Sequence, residues 1–322
     1  MNNSSLQLSD LEKAVLKTLA FFDIFDYPLT IVEIHKWLYA KKGFGLLDII
    51  TALEGGSLSN FIEYQDGFYF LKGRAQIIEI RLDRYQIADE KFKIARRVTK
   101  FLRWVAFIKL IAVCNTVGYN NASAGSDIDF FIIVRRGRVW WSRLLITSLV
   151  TLLRVRRHEK KVKDRICLSF YVADDHLDLA EIAILPLDIY LIYWFATLAP
   201  IYDLETNKNF FQANNWLFGQ LPNFYIPQLA SRRQVFDDAL TSFSKKIDYL
   251  VLGRGFGDWL EHLAEIAQFK RLKRYLGDSI NQPDHNVVVS SQMLKFHKID
   301  RRQHYLELWQ RSLKNLGLDL NS

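Results

Sequence analysis

Asp127 and Asp129 stand two positions apart, immediately before the apolar run Phe130-Phe131-Ile132-Ile133-Val134. Alternate side chains of an extended strand share a side, so this spacing sends both carboxylates one way and turns Ile128 into a core. Two carboxylates held together repel unless they are hydrogen-bonded or neutralised, and a divalent cation with phosphate oxygens supplies that neutralisation. Mg2+ is therefore the expected cofactor, with Mn2+ as the alternative ion for oxygen ligands. An Asp-x-Asp pair alone is a weak signal, because acids also cap turns and strand ends.

The residues leading into the pair sharpen it. The stretch Ala112-Val113-Cys114-Asn115-Thr116-Val117-Gly118, followed by Ser123-Ala124-Gly125-Ser126-Asp127-Ile128-Asp129, resembles the nucleotidyltransferases of the DNA polymerase beta superfamily. Their pattern is a strand, a Gly-Ser turn, a short helix or loop, then Ser-Asp-x-Asp on the next strand. The resemblance implies an enzyme that moves NMP from an NTP, its nucleotide substrate, to an acceptor with release of pyrophosphate. It implies that Asp127 and Asp129 hold the metal, that Thr116 supplies a phosphate-binding hydroxyl, and that Ser126 is a further donor. Asn115 stands where glycine is usual. Asparagine enters left-handed conformations more readily than most residues, yet it adds a side chain where backbone and phosphate meet.

Active members add a third carboxylate from a neighbouring strand. The run Ile166-Cys167-Leu168-Ser169-Phe170-Tyr171-Val172 reads as that strand but holds no acid, and of the acids around it Asp178 is the expected third catalytic group. Asn115 and the missing acid within the strand motivate an alternative, a catalytically degenerate nucleotide-sensing or nucleic-acid-associated protein on the same scaffold. The acceptor stays open between a small molecule, an RNA end and a protein side chain.

Charge distribution points to an anionic partner. The 322 residues hold 43 Lys/Arg against 35 Asp/Glu, a net +8. Residues 135–165 carry eleven Lys/Arg against Glu159 and Asp164, so this segment alone exceeds the charge of the whole chain. Arg135 and Arg136, nearest in sequence to the carboxylates, are expected to reach the nucleotide. The rest of the segment is the expected surface for triphosphate or RNA. Duplex DNA is not an expected partner.

The elements that must position these groups define an α+β protein with a mixed-sheet nucleotidyltransferase core at residues 106–200. An N-terminal winged-helix domain is expected at 1–72, a connecting helix at 73–105 and an α-rich substrate-shaping or packing region at 201–322. Leu11, Val15, Leu19 and Phe22 recur at helical spacing after Asp10, a candidate cap. Thr30 and Glu33 have capping-box spacing, 46–53 reads as a third helix, and two aromatic-rich strands flank Asp66-Gly67. The third helix carries Asp48 and Glu54 and neither Lys nor Arg, which argues against groove binding. Beyond residue 200, Val235, Leu240, Phe243, Ile247, Tyr249 and Leu250 form one expected apolar stripe and Leu260, Leu263, Ile266 and Phe269 a second.

Only Cys114 and Cys167 are present, and no cationic start followed by a long apolar run opens the chain, so a reducing cytoplasmic setting is expected. The apolar segment 182–200 contains Pro186 and Asp188 and reads as a buried helix, with no membrane contact. Gly253-Arg254-Gly255-Phe256-Gly257 lacks the Gly-Lys-Ser/Thr ending of a phosphate loop, and His285, His297 and His304 lack zinc-ligand spacing.

Overall fold

The structure, a computed structural model, describes residues 8–319. Three helices open it: α1 (Asp10–Asp23), α2 (Ile31–Lys36) and α3 (Leu46–Glu54). A capping box starts α1, but its cap is Ser9, whose hydroxyl accepts from the Glu12 amide while Glu12 reaches back; Asp10 is the first helical residue. Thr30 and Glu33 form the corresponding box of α2. The antiparallel hairpin of β1 (Ile62–Gln65) and β2 (Phe68–Leu71) follows, turned at Asp66 and Gly67, both with positive φ.

The 26-residue α4 (Ile77–Leu102) leads to β3 (Ile108–Val113), the short α5 (Asn115–Gly118) and β4 (Ile128–Val134). After α6 (Val139–Leu152) comes β5 (Ile166–Ala173), parallel to β4, as a helical crossover requires. The remaining elements are α7 (Ile189–Ala196), β6 (Ala199–Asp203), α8 (Thr206–Ala213), α9 (Ala239–Leu252), α10 (Phe256–Leu276), β7 (Val287–Val289), β8 (Met293–Phe296) and α11 (Arg302–Asn315). The large sheet runs β6-β3-β4-β5-β8-β7, with the β4–β5 pair parallel and the other pairs antiparallel. The protein is thus α+β with a mixed sheet.

Strand alternation divides the apolar residues between two cores. Ala112, Phe131, Ile133, Phe170 and Val172 face α1, α7 and α11. Ile111, Val113, Ile132, Val134 and Tyr171 face α4, α6 and α10. The first core takes in the N-terminal helices. Polar contacts join the same parts: Tyr27 Oη donates to the Tyr119 carbonyl at 3.0 Å, Tyr193 Oη to that of Trp37 at 3.0 Å, and Trp309 Nε1 to that of Lys17 at 2.9 Å.

Three expectations change. The division at residue 200 cuts through β6, and β8 from the C-terminal region pairs with β5, so the sheet draws strands from both sides of that boundary. The segment 182–200 is not one helix: Asp188 caps α7, accepting from the Leu191 amide at 2.8 Å, and the chain then turns into β6. No helix among the described residues is long and apolar enough to cross a membrane. Finally, the stripe on α9 faces outward, with Leu240, Phe243, Ile247 and Leu250 exposed.

Candidate functional site

Asp127 and Asp129 lie where the chain enters β4. Two backbone bonds fix that entry: the Ile128 amide donates to the Arg165 carbonyl at 2.8 Å, and the Cys114 amide to the Asp129 carbonyl at 3.0 Å. The parallel register sets Asp129 opposite Cys167, and Asp127, Asp129 and Cys167 each place one ligand atom within 4.8 Å of the others. A thiol therefore stands on the strand where a third carboxylate is expected. The sequence alone does not single it out, because the resemblance calls for a carboxylate at this place and a lone buried cysteine reads as a core residue.

Asn115 adopts φ +55°, the left-handed conformation that glycine usually supplies and asparagine tolerates. Its side chain is also employed: Nδ2 donates to Asp129 Oδ2 at 2.9 Å. Burial, together with the neighbouring Asp127 charge, raises the Asp129 carboxyl to about 6 against the opposing effect of the Asn115 hydrogen bond. Arg157 approaches from the loop before β5, its Nε 2.7 Å from Asp127 Oδ2 and its Nη1 3.7 Å from Cys167 Sγ. A guanidinium thus supplies part of the positive charge that the carboxylate pair requires.

The other anticipated groups separate. Ser126 Oγ donates to the Ser123 carbonyl at 3.0 Å and serves its own turn. Thr116 follows Asn115 in α5, with its carbonyl accepting from the Asn121 amide at 2.7 Å; of the two, Asn115 lines the cleft. Arg135 and Arg136 lie past the C-terminal end of β4, and the seven residues of that strand span roughly 20 Å. Arg135 sits over the Tyr249 ring at 5.3 Å, and the Arg136 amide donates to Asp174 Oδ1 at 2.8 Å. Neither is at the carboxylate end. Asp178 follows the C-terminal end of β5, is exposed, and accepts from the Ala180 amide at 2.9 Å, which makes it a turn cap. The parallel β4 and β5 put the carboxylate pair at their shared N-terminal end.

Lys91 holds this end together from α4. It is 1% exposed and donates to the Ser126 carbonyl at 2.8 Å and to Asp164 Oδ1 at 2.6 Å, joining the loops that enter β4 and β5. Lys91→Met removes both bonds. Because Asp164 retains 38% exposure and can be rehydrated, the expected loss is on the order of 2 kcal/mol, below that for breaking a fully buried pair. Urea denaturation measures it, and an unchanged midpoint would reduce Lys91 to a filler.

A cleft of about 1250 Å³ opens in front of the pair. Asn115, Asp129, Cys167 and Ser169 contribute to its wall, and Arg143, Arg154, Arg156, Arg157, Lys160, Lys161 and Arg165 come from the basic segment. With Arg271 of α10 and Lys298, nine Lys/Arg side chains face two acids, a balance suited to a polyphosphate. His297 meets Ser169 Oγ at 3.1 Å, and burial pushes its imidazole down to about 3, so it is neutral near pH 7.

A smaller cavity of about 210 Å³ shares Asn115 and His297 with the cleft and adds Lys295, Arg302 and the stacked pair Tyr190 and Tyr305, whose ring centroids are 5.1 Å apart. Lys295 is 3% exposed, donates to the His285 carbonyl at 2.7 Å, and is lowered by desolvation to about 8. Its ordinary value is about 10.4. Below pH 8 the lysine is charged in both folded and unfolded states, and folding bears the desolvation cost. Between about 8 and 10.4 the unfolded chain binds more protons, so this group's contribution to stability rises with pH. Between pH 7 and about 10 the stability of the wild type is therefore expected to rise relative to that of Lys295→Met by on the order of 2–3 kcal/mol. Urea melts of both proteins across that range provide the check.

Comparisons with family profiles, curated proteins and solved structures return no match to this chain.

Proposed function

We propose that the protein is a divalent-metal-dependent nucleotidyltransferase that moves NMP from an NTP to an acceptor, releasing pyrophosphate. The observation that carries this reading is the carboxylate pair at the mouth of β4, set at the edge of a cleft whose charged groups are overwhelmingly cationic. The acceptor oxygen or nitrogen bonds to the α-phosphorus, the bond to the pyrophosphate oxygen breaks, and the acceptor's proton is released.

The donor set fits a metal. Asp127 and Asp129 offer oxygens suited to Mg2+ or Mn2+, and the Cys167 sulfur shifts preference toward softer ions such as Co2+ and Zn2+. A bound ion would supply Lewis-acid neutralisation of phosphoryl oxygens. Asn115 orients the Asp129 carboxylate, and the cleft arginines and lysines hold the triphosphate and the departing pyrophosphate. Arg157 is within reach of both the acids and the cleft, so it can exchange Asp127 for phosphate when nucleotide enters.

The N-terminal order of three helices and a hairpin reads as a winged-helix module. With no Lys or Arg on α3 and extensive burial of α1 against the core, its proposed role is packing and positioning.

Incubating the protein with each labelled NTP, Mg2+ or Mn2+, and pooled metabolites, RNA or proteins is expected to release pyrophosphate and label one pool. Absence of both transfer and nucleotide binding in every pool overturns the reading. A second reading, nucleotide sensing without turnover, is favoured by one feature, the thiol in place of a third carboxylate. Metal-dependent nucleotide binding with no pyrophosphate release would select it.

A further inference from the structure

Ile166, Cys167, Leu168 and Ser169, consecutive residues of β5, all line the cleft in front of the carboxylate pair. Consecutive strand residues face opposite ways, so the cleft reaches both sides of that strand. It can do so because β8 pairs with β5 only from Phe170 to Val172 and leaves the first half of that edge open. Asn115 and Asp129 belong to one side. Arg143 of α6 and Arg271 of α10 belong to the other, since these two helices cover the opposite face of the sheet.

Arg143 is fixed there without a counter-ion. Gln268 Nε2 donates to the Trp140 and Ala264 carbonyls at 2.8 and 3.0 Å, which turns Gln268 Oε1 to Arg143 Nη1 at 2.6 Å. The guanidinium lies 4.9 Å from the Phe296 ring centroid, and its Nε is buried and meets no acceptor. Burial pushes Arg143 below the ordinary guanidinium value, and the like charges of Arg156 and Arg271 push the same way. Arg156 arrives through a bridge to Ile166; the next residue, Arg157, turns to Asp127, so Arg156 turns to the other side of the strand. Among the described residues no carboxylate pairs with Arg143, Arg156 or Arg271. A guanidinium stays protonated near pH 7, and withdrawing it from water is costly until an anion neutralises it.

We infer that Arg143, Arg156 and Arg271 form a second anion subsite on the far side of β5, and that it holds a phosphate group carried by the acceptor. Arginine presents paired N–H donors to phosphate oxygens, and three arginines without an acid suit a multiply charged oxyanion. In the proposed transfer the nucleotide's own phosphates lie with the metal and Arg157 on the carboxylate side, and β5 stands between them and Arg143. The assignment to the acceptor rests on that transfer reading; the subsite itself does not.

Calorimetric titration with inorganic phosphate, in EDTA, without nucleotide and at constant ionic strength, is expected to show saturable binding. Arg143→Met and Arg271→Met should each weaken it at least about tenfold while keeping the wild-type circular dichroism. Arg271 is exposed, so its replacement tests the subsite without disturbing a core. The double variant Asp127→Ala, Asp129→Ala should bind phosphate as the wild type does. No saturable binding, wild-type affinity in either arginine variant, or an equal loss in the carboxylate variant overturns the subsite. Phosphate binding that follows this pattern in a protein that transfers no NMP keeps the subsite while the transferase reading falls. Competition by glycerol phosphate and by a short single-stranded RNA with a terminal phosphate distinguishes a small phosphate ester from an RNA end. Displacement of inorganic phosphate by either supports a phosphorylated acceptor, and displacement by neither overturns it.

Discussion

Asp127→Ala and Asp129→Ala are each expected to lower nucleotidyl transfer at least about a hundredfold, on the order of 3 kcal/mol of transition-state stabilisation. Each removes one oxygen donor from a set of three, and the ion or triphosphate that remains can no longer be held in line with the acceptor. Stability is expected to change little. Asp127 pairs with an Arg157 that is 48% exposed and free to turn to solvent once the carboxylate is gone. Asp129→Ala removes a desolvated like charge along with its Asn115 bond, two effects of opposite sign. Asp178→Ala serves as the control: a turn cap beyond the far end of β5 should leave turnover near wild type. Pyrophosphate release on folded, circular-dichroism-matched proteins measures all three. Wild-type turnover in both pair variants would end the metal-site mechanism, and a large loss in Asp178→Ala would return that residue to the site.

The strands legible in the sequence are those whose signals are local, whereas β6 and β8 carry no such signal. Phe130 to Val134 is apolar at every position, as a strand covered on both faces must be, and it forms the centre of the sheet. Thr30 with Glu33 and the Asp66-Gly67 turn are likewise contained within four residues. Boundaries set by pairing were not legible. Nothing in Met293–Phe296 announces a partner more than a hundred residues earlier, yet its pairing with β5 is what makes the C-terminal region part of the same sheet.

The site misled in a different way, through distance along the chain. Arg135 and Arg136 are six to nine residues from the carboxylates in sequence, but a strand carries them away at about 3.3 Å per residue. Arg157 is thirty residues from Asp127 and touches it, because the α6 crossover returns the chain to the same end of a parallel pair. Periodicity misled on α9 for a related reason: spacing identifies an apolar face, and only the neighbours decide whether that face looks in or out. Lys245, Asp237 and Tyr202 supply a polar seat for the other side, and no stripe pattern reveals it.

The choice of metal follows from the one donor that sequence reasoning missed. Cys167 is 7% exposed, and burial together with two nearby carboxylates pushes its thiol well up, so it binds an ion only by losing its proton to solvent. Thiophilic-ion uptake should therefore release protons and tighten as pH rises. Titration of the wild-type protein with Cd2+ is expected to produce an ultraviolet sulfur-to-metal charge-transfer band. Cys167→Ser should abolish the band, and Cys114→Ser, which changes the other buried thiol, should keep it. Cys167→Asp replaces sulfur by oxygen at the same strand position, completing an all-oxygen set that suits Mg2+. Its binding preference for Mg2+ over Zn2+ is expected to rise about tenfold, equivalent to about 1.4 kcal/mol. A band that persists in Cys167→Ser, or a Cys167→Asp protein with unaltered ion preference in direct metal titrations, would remove the thiol from the ligand set and leave the two carboxylates to hold the ion alone.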